Sequence, residues 1–171
     1  LATMATPTTV RVVCNNTLAI AVNGASQAIR GPHSTEFNPQ RVKQQLGISV
    51  SQWSEFMYRM KTLSERKVKP KEALQYFLQV ICSTDTDLDD RKQLPQHRAL
   101  QKVQDLYQGL GRGAQLVSAQ DTAWGLLNAV TEFVDHEKRA RSTDYRLDSA
   151  WFGQGAVLKQ KALDHAIQLV A

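Results

Sequence analysis

The stretch TAWGLLNAVTEFVDH, residues 122–136, constrains the fold more than any other part of the chain. Ala123, Leu126, Leu127, Val130, Phe133 and Val134 recur at the i, i+3, i+4, i+7 spacing of a helix. A stripe this unbroken has to be covered by other elements. The spacing predicts a helix over 121–139 with Trp124 flanking the buried stripe, and a core assembled around it.

The remaining pattern is mostly helical as well. TTVRVVC (8–14) has the β-branched density of a strand. NNTLAIAVNG reads as a short helix closed by Asn23-Gly24, and QAIRGPHSTEF as a second strand broken at Gly31-Pro32. Pro39 opens a helix that Gly47 stops. Ser49 and Gln52 form a capping box for the next helix, whose apolar face is Trp53, Phe56, Met57, Met60 and Leu63. Pro70 breaks that helix within ERKVKPK, and KEALQYFLQVIC follows directly. The pair is expected to form a hairpin with Arg66, Lys67, Lys69 and Lys71 at an exposed tip. STDTDLDDRKQ (83–93) reads as an acidic loop. Pro95 then opens a helix with Ala99, Val103, Leu106 and Leu110 inward, ended by GLGRG. RARSTDYRLD reads as a second basic connection before a last helix from Ser149. The expectation is a mainly α, multi-helix single domain over 1–171 with a small N-terminal β element.

A chain of 171 residues with 42% hydrophobic content can form one core without staples, since folding at this length buries roughly 70% of the unfolded surface. No apolar run approaches the ~20 residues that span a bilayer, and the N-terminus lacks a secretory layout. Cys14 and Cys82 lie far apart in apolar surroundings and read as buried reduced thiols, which suits the cytoplasm. Net charge is +5, but its distribution is uneven. Residues 1–84 carry ten Lys and Arg against four acids, and residues 85–171 carry eleven against twelve. A basic half attracts polyanions through its long-range potential and through counterion release.

Sites for chemistry are weakly supported. DTDLDD (85–90) starts like a calcium loop, yet Asp90 stands where the sharp turn needs glycine and Gln96 where a bidentate Glu is required. Glu132, Asp135 and His136 share one stretch of the central helix, but one helix does not make a metal site. GLGRG follows a helix rather than a strand, so its glycines read as a cap, with Arg112 left to touch a phosphate. FGQG, with Lys159 and Lys161 beyond it, offers a helix N-terminus for an anion or a site of close helix packing. No nucleophile motif appears, and neither a metal nor a cofactor is expected.

The basic connections 66–71 and 138–146 are the strongest functional lead. The second embeds Tyr145 and precedes Trp151-Phe152. Cations that track phosphates and rings that stack bases are the elements of a single-stranded nucleic-acid surface. The same rings also suit a core.

VRVVCNNTL, TAWGLLNAVTEFVDH and SAWFGQGAVLKQKAL, taken in this order, resemble a phage- and plasmid-associated bacterial family catalogued as domain of unknown function 932. The resemblance implies that this chain is the C-terminal helical half of a longer α+β protein. It carries over no catalytic residue, and its setting suggests DNA transactions such as single-strand annealing. The expectation is a non-enzymatic module that binds single-stranded DNA, with homo-oligomers possible and no membrane partner. Arg66, Lys67, Lys69, Lys71, Arg112, Lys138, Arg139, Arg141 and Arg146 would contact phosphate, and Tyr145 would stack. A protein–protein or counter-defence module is the alternative, and a metal-dependent enzyme using Glu132, Asp135 and His136 is a third.

Overall fold

A buried helix needs neighbours on every side, and the structure supplies them. It is a computed structural model that describes residues 2–5, 9–13, 16–20, 29–32, 40, 54–82 and 90–171. The expected helix after Pro39, apart from Gln40, lies outside the described residues, as do the Ser49 capping box, Trp53, the acidic loop 83–89 and Cys14. Cys82 is half-buried and free.

Four strands form two antiparallel pairs. β1 (Ala2–Ala5) runs against β4 (Ile29–Pro32), with Ala2 opposite Pro32. β2 (Thr9–Val13) runs against β3 (Asn16–Ile20), with Val13 opposite Asn16. The helix expected from NNTLAIAVNG is therefore a strand over Asn16–Ile20. The β-branched Thr17 and Ile20 suit a strand, and pairing with β2 supplies bonds that a short isolated helix would lack. The strand at Ile29–Pro32 runs through Gly31 instead of breaking there. β1 carries no β-branched signal beyond Thr3, so only its partner reveals it.

Six helices dominate the rest of the described chain. α1 covers 54–65 and buries Phe56, Met60 and Leu63, while Met57 is 39% exposed and so lies off the core face. α2 (Pro70–Ile81) starts on proline, and Glu72 accepts the backbone N–H of Lys69 at 2.9 Å. It buries Ala73, Tyr76, Phe77 and Val80, and the Tyr76 hydroxyl donates to the carbonyl of Ala162 at 2.9 Å. α3 (Asp90–Asp105) begins a turn earlier than its proline suggests. Pro95 forfeits one bond to the carbonyl four residues back, close enough to the helix start that the turn survives.

α3 passes into a wide turn over Leu106–Leu110 that contains Gly109, whose φ is 129°. That left-handed residue swings Leu110 outward to 77% exposure, so Leu110 is not core although Val103 and Leu106 are. Two short 3-10 turns, Gly113–Gln115 and Val117–Ala119, lead to α4 (Ala123–Glu132). The Thr122 hydroxyl caps α4 by accepting from Gly125 N–H at 3.2 Å. α4 continues through a wide turn over Phe133–Glu137 and stops there, two residues short of the expected end.

Every residue from Thr122 to Val134 is buried, not only one stripe. α2, α3 and α6 (Gln154–Gln168) pack around α4. The polar groups carried inside are satisfied locally: Asn128 donates to Trp124 O and Thr131 to Asn128 O, each at 2.9 Å. Gly125 is required, because a Cβ there would lie 2.0 Å from the Ala119 carbonyl oxygen.

The stretch read as a second connection is a connection only as far as Ser142 and a helix from Thr143 on. α5 (Thr143–Phe152) is capped by Ser142, whose hydroxyl accepts from Tyr145 N–H at 3.3 Å. α5 packs on α6, so the last helix of the expectation is two helices divided at Gly153.

Candidate nucleic-acid interface

Nine cations and one tyrosine were expected to contact nucleic acid, and the structure divides them among three places. Lys67 forms an isolated antiparallel bridge with Thr122, reinforced by Val68 N–H to Asp121 O and Ala123 N–H to Arg66 O, both 2.9 Å. The connection 66–69 is thereby stitched to the head of α4. Arg66 is half-buried and donates through Nε to Leu169 O at 3.0 Å, through Nη2 to Glu72 at 2.9 Å, and through Nη1 to Lys67 O. A guanidinium on the last carbonyls of α6 is placed where the helix dipole favours a cation. Lys67 donates to Gln120 O at 2.9 Å. Arg66 is thus occupied with holding α2, α4 and α6 together. Lys69 and Lys71 project as exposed cations.

Arg112 has an exposed side chain, while its backbone is fixed by a buried carboxylate. Glu132 accepts the N–H of Arg112 at 2.9 Å and that of Gly113 at 3.1 Å. The GLGRG loop is therefore not loose. A Cβ on Gly111 would come within 2.5 Å of the Leu106 carbonyl oxygen, so this glycine allows the loop to close against the end of α3.

The other five residues converge. Lys138, Arg139, Arg141, Tyr145 and Arg146 line one groove of about 240 Å³ between the foot of α4 and the first turn of α5. Val134 and Ala140 form its apolar part, Ser149 completes it, and among the described residues no carboxylate lines it. Arg139 and Arg141 are exposed, and the Tyr145 ring is 61% exposed. Arg146 is half-buried and donates through Nη1 to His136 O at 3.0 Å, closing the foot of α4 against α5. The Arg146 Nε is buried with no hydrogen-bond acceptor among the described residues. Burial lowers the pKa of Lys138 from its ordinary value, because a charged ammonium loses hydration there.

The tip at 66–71 and this groove do not join. The tip is tied to Thr122 and the groove begins at Val134, so they sit at opposite ends of α4, roughly 20 Å apart at 1.5 Å of rise per residue.

The acidic constellation on α4 has structural partners. Asp135 forms a nearly fully buried ion pair with Lys159 of α6, and Glu132 holds the loop described above. Lys159 therefore faces inward and is not presented by the FGQG turn. Gly155 permits close packing, since a Cβ would meet Val134 Cγ1 at 2.8 Å. Among the described residues, no three His, Cys, Asp or Glu side chains gather so as to hold a metal ion, and no helix is long and apolar enough to cross a membrane.

The far face of α5 has a different character. Asp144, Leu147, Asp148, Trp151 and Phe152 line a shallow depression of about 370 Å³, with Leu147 62% and Phe152 84% exposed. The sequence signal for this two-faced helix was Ser142 followed by an acid in the first turn, a helix start that a connection rich in Arg concealed.

The model of the family described as Domain of unknown function (DUF932) matches residues 1–151. No curated protein and no solved structure matches the chain.

Proposed function

The chain belongs to the family described as Domain of unknown function (DUF932), and we propose that it is a non-enzymatic nucleic-acid-binding module whose preferred ligand is single-stranded DNA. The family description names no activity, so the reading rests on residues. One observation carries it: four cations and an exposed tyrosine share a groove with no acid among its described lining residues. Cations there would meet phosphate oxygens, with the arginines able to offer two parallel N–H groups, and the Tyr145 ring would stack a base at roughly 1–3 kcal/mol. Lys69, Lys71 and the exposed Arg112 side chain would add weaker phosphate contacts at the surface.

A module that holds one strand by its backbone leaves base edges free to pair. That property suits strand annealing in recombination systems of phages and plasmids. The test is a titration of labelled single-stranded DNA, duplex DNA and RNA at about 50 mM and about 200 mM salt, since phosphate contacts release counterions and lose affinity steeply across that range. Single-stranded DNA should bind most tightly. Absence of binding at the lower salt would refute the proposal.

The apolar face of α5 favours a second reading, a protein–protein surface. Leu147 and Phe152 are too exposed to serve the core and lie side by side with Trp151. This reading predicts self-association or partner binding that persists at high salt and disappears in Leu147→Ser and Phe152→Ser, measured by light scattering.

A further inference from the structure

We infer that the groove at the foot of α4 recognises a strand end, taking the terminal phosphate monoester of a nucleic acid in preference to the diesters within it. The inference rests on the nucleic-acid reading above and narrows it. Size is the first argument. A volume of about 240 Å³ falls below the ~300 Å³ at which pockets for whole small molecules begin. One phosphate and part of its sugar would fill a groove of that volume.

Charge is the second argument. Lys138, Arg139, Arg141 and Arg146 face this single small volume without a carboxylate among the described lining residues. A diester inside a strand brings one negative charge, whereas a terminal monoester brings close to two near neutral pH and three acceptor oxygens. Four cations around one phosphate are better matched by the monoester. Arg146 lines the groove with its Nη1 fixed on His136 O at 3.0 Å, which holds the guanidinium in place beside such a group.

The surroundings also bound the path of a strand. Asp144 and Asp148 line the neighbouring depression on α5, so a phosphate backbone continuing over that helix would meet like charge. The strand leaves the groove on one side only, with the exposed Tyr145 ring at the rim against the terminal base or sugar.

The experiment compares single-stranded oligonucleotides of one sequence carrying a 5′-phosphate, a 3′-phosphate or hydroxyls at both ends. Each is labelled at the opposite or an internal position and titrated against the whole chain by fluorescence anisotropy. One phosphorylated end should bind about tenfold more tightly than the hydroxyl form, the scale of an added charge-assisted contact. The double variant Arg139→Gln/Arg141→Gln, both exposed positions, should remove most of that preference, and Lys69→Gln at the other end of α4 should keep it. Equal affinity for all three oligonucleotides would overturn end recognition while leaving the nucleic-acid reading standing. Binding of none would overturn both. A preference that survives the double variant would overturn the assignment to this groove.

Discussion

Glu132, buried in α4, accepts the backbone N–H of Arg112 at 2.9 Å, and so fastens the loop after α3 to the central helix. Its second oxygen takes Gly113 N–H at 3.1 Å. A side chain that looked like a candidate catalytic acid is therefore the acceptor for two backbone donors that the glycine-rich turn leaves without helical partners.

Replacing Glu132 should expose that dependence. Glu132→Ala leaves both donors without an acceptor and should destabilise the fold by about 2–4 kcal/mol in urea denaturation. Glu132→Gln keeps an amide oxygen and should cost less. If both variants were as stable as wild type, the clamp would have no energetic role.

Gly125 sets a second test, in which two effects oppose each other. Alanine in a helix interior gains roughly 0.5–1 kcal/mol over glycine. Here the new Cβ would lie 2.0 Å from the Ala119 carbonyl oxygen, a backbone atom that cannot rotate away. Overpacking of this kind costs about 1–3 kcal/mol or more, so Gly125→Ala should lower the Tm despite its better propensity.

The basic tip and the basic groove should separate by assay. Arg66→Ala breaks the ties to Leu169 and Glu72 and should lower stability by about 1–2 kcal/mol. Arg139→Gln/Arg141→Gln should leave the Tm unchanged but flatten the dependence of log affinity on log salt, by about 0.7 for each phosphate no longer neutralised. An unchanged slope in the double variant would remove both arginines from the interface.

Acid stability should report on Glu72. The Lys69 N–H and the Arg66 guanidinium hold its carboxyl below the ordinary value of 4.5. A folded pKa below the unfolded one means the ionised form is favoured by folding, so this stability is present above pH 4.5 and is lost as pH falls through the lower folded value. Glu72→Gln should flatten the acid limb of a stability-versus-pH curve and leave its shape near neutrality unaltered.

Much of the helical framework was legible because periodicity reports burial directly. Phe56, Met60 and Leu63 on α1, and Val103 on α3 with Leu106 just beyond it, are buried as their spacing required. Leu110 shares that spacing yet faces water, because one left-handed residue at Gly109 turns the chain before the pattern ends. The strand at Asn16–Ile20 escaped for a related reason: pairing between β2 and β3 overrides a local preference that is weak in either direction. The start of α5 was written in Ser142 and Asp144, but a run of arginines reads equally well as a solvated turn.

Residue order alone requires TAWGLLNAVTEFVDH to be a buried helix, since an apolar stripe at helical spacing has no stable alternative in water. It also gathers positive charge in 66–71 and 138–146. Where charged side chains sit and what they contact was decided by packing between elements remote in the chain. Arg66 is committed to the carbonyl of Leu169, and Glu132 and Asp135 to Arg112 and Lys159, whereas Lys138, Arg139, Arg141 and Arg146 meet around one groove. Charge is a property of each residue, but whether it is satisfied inside the fold or presented to a ligand depends on partners distant in sequence.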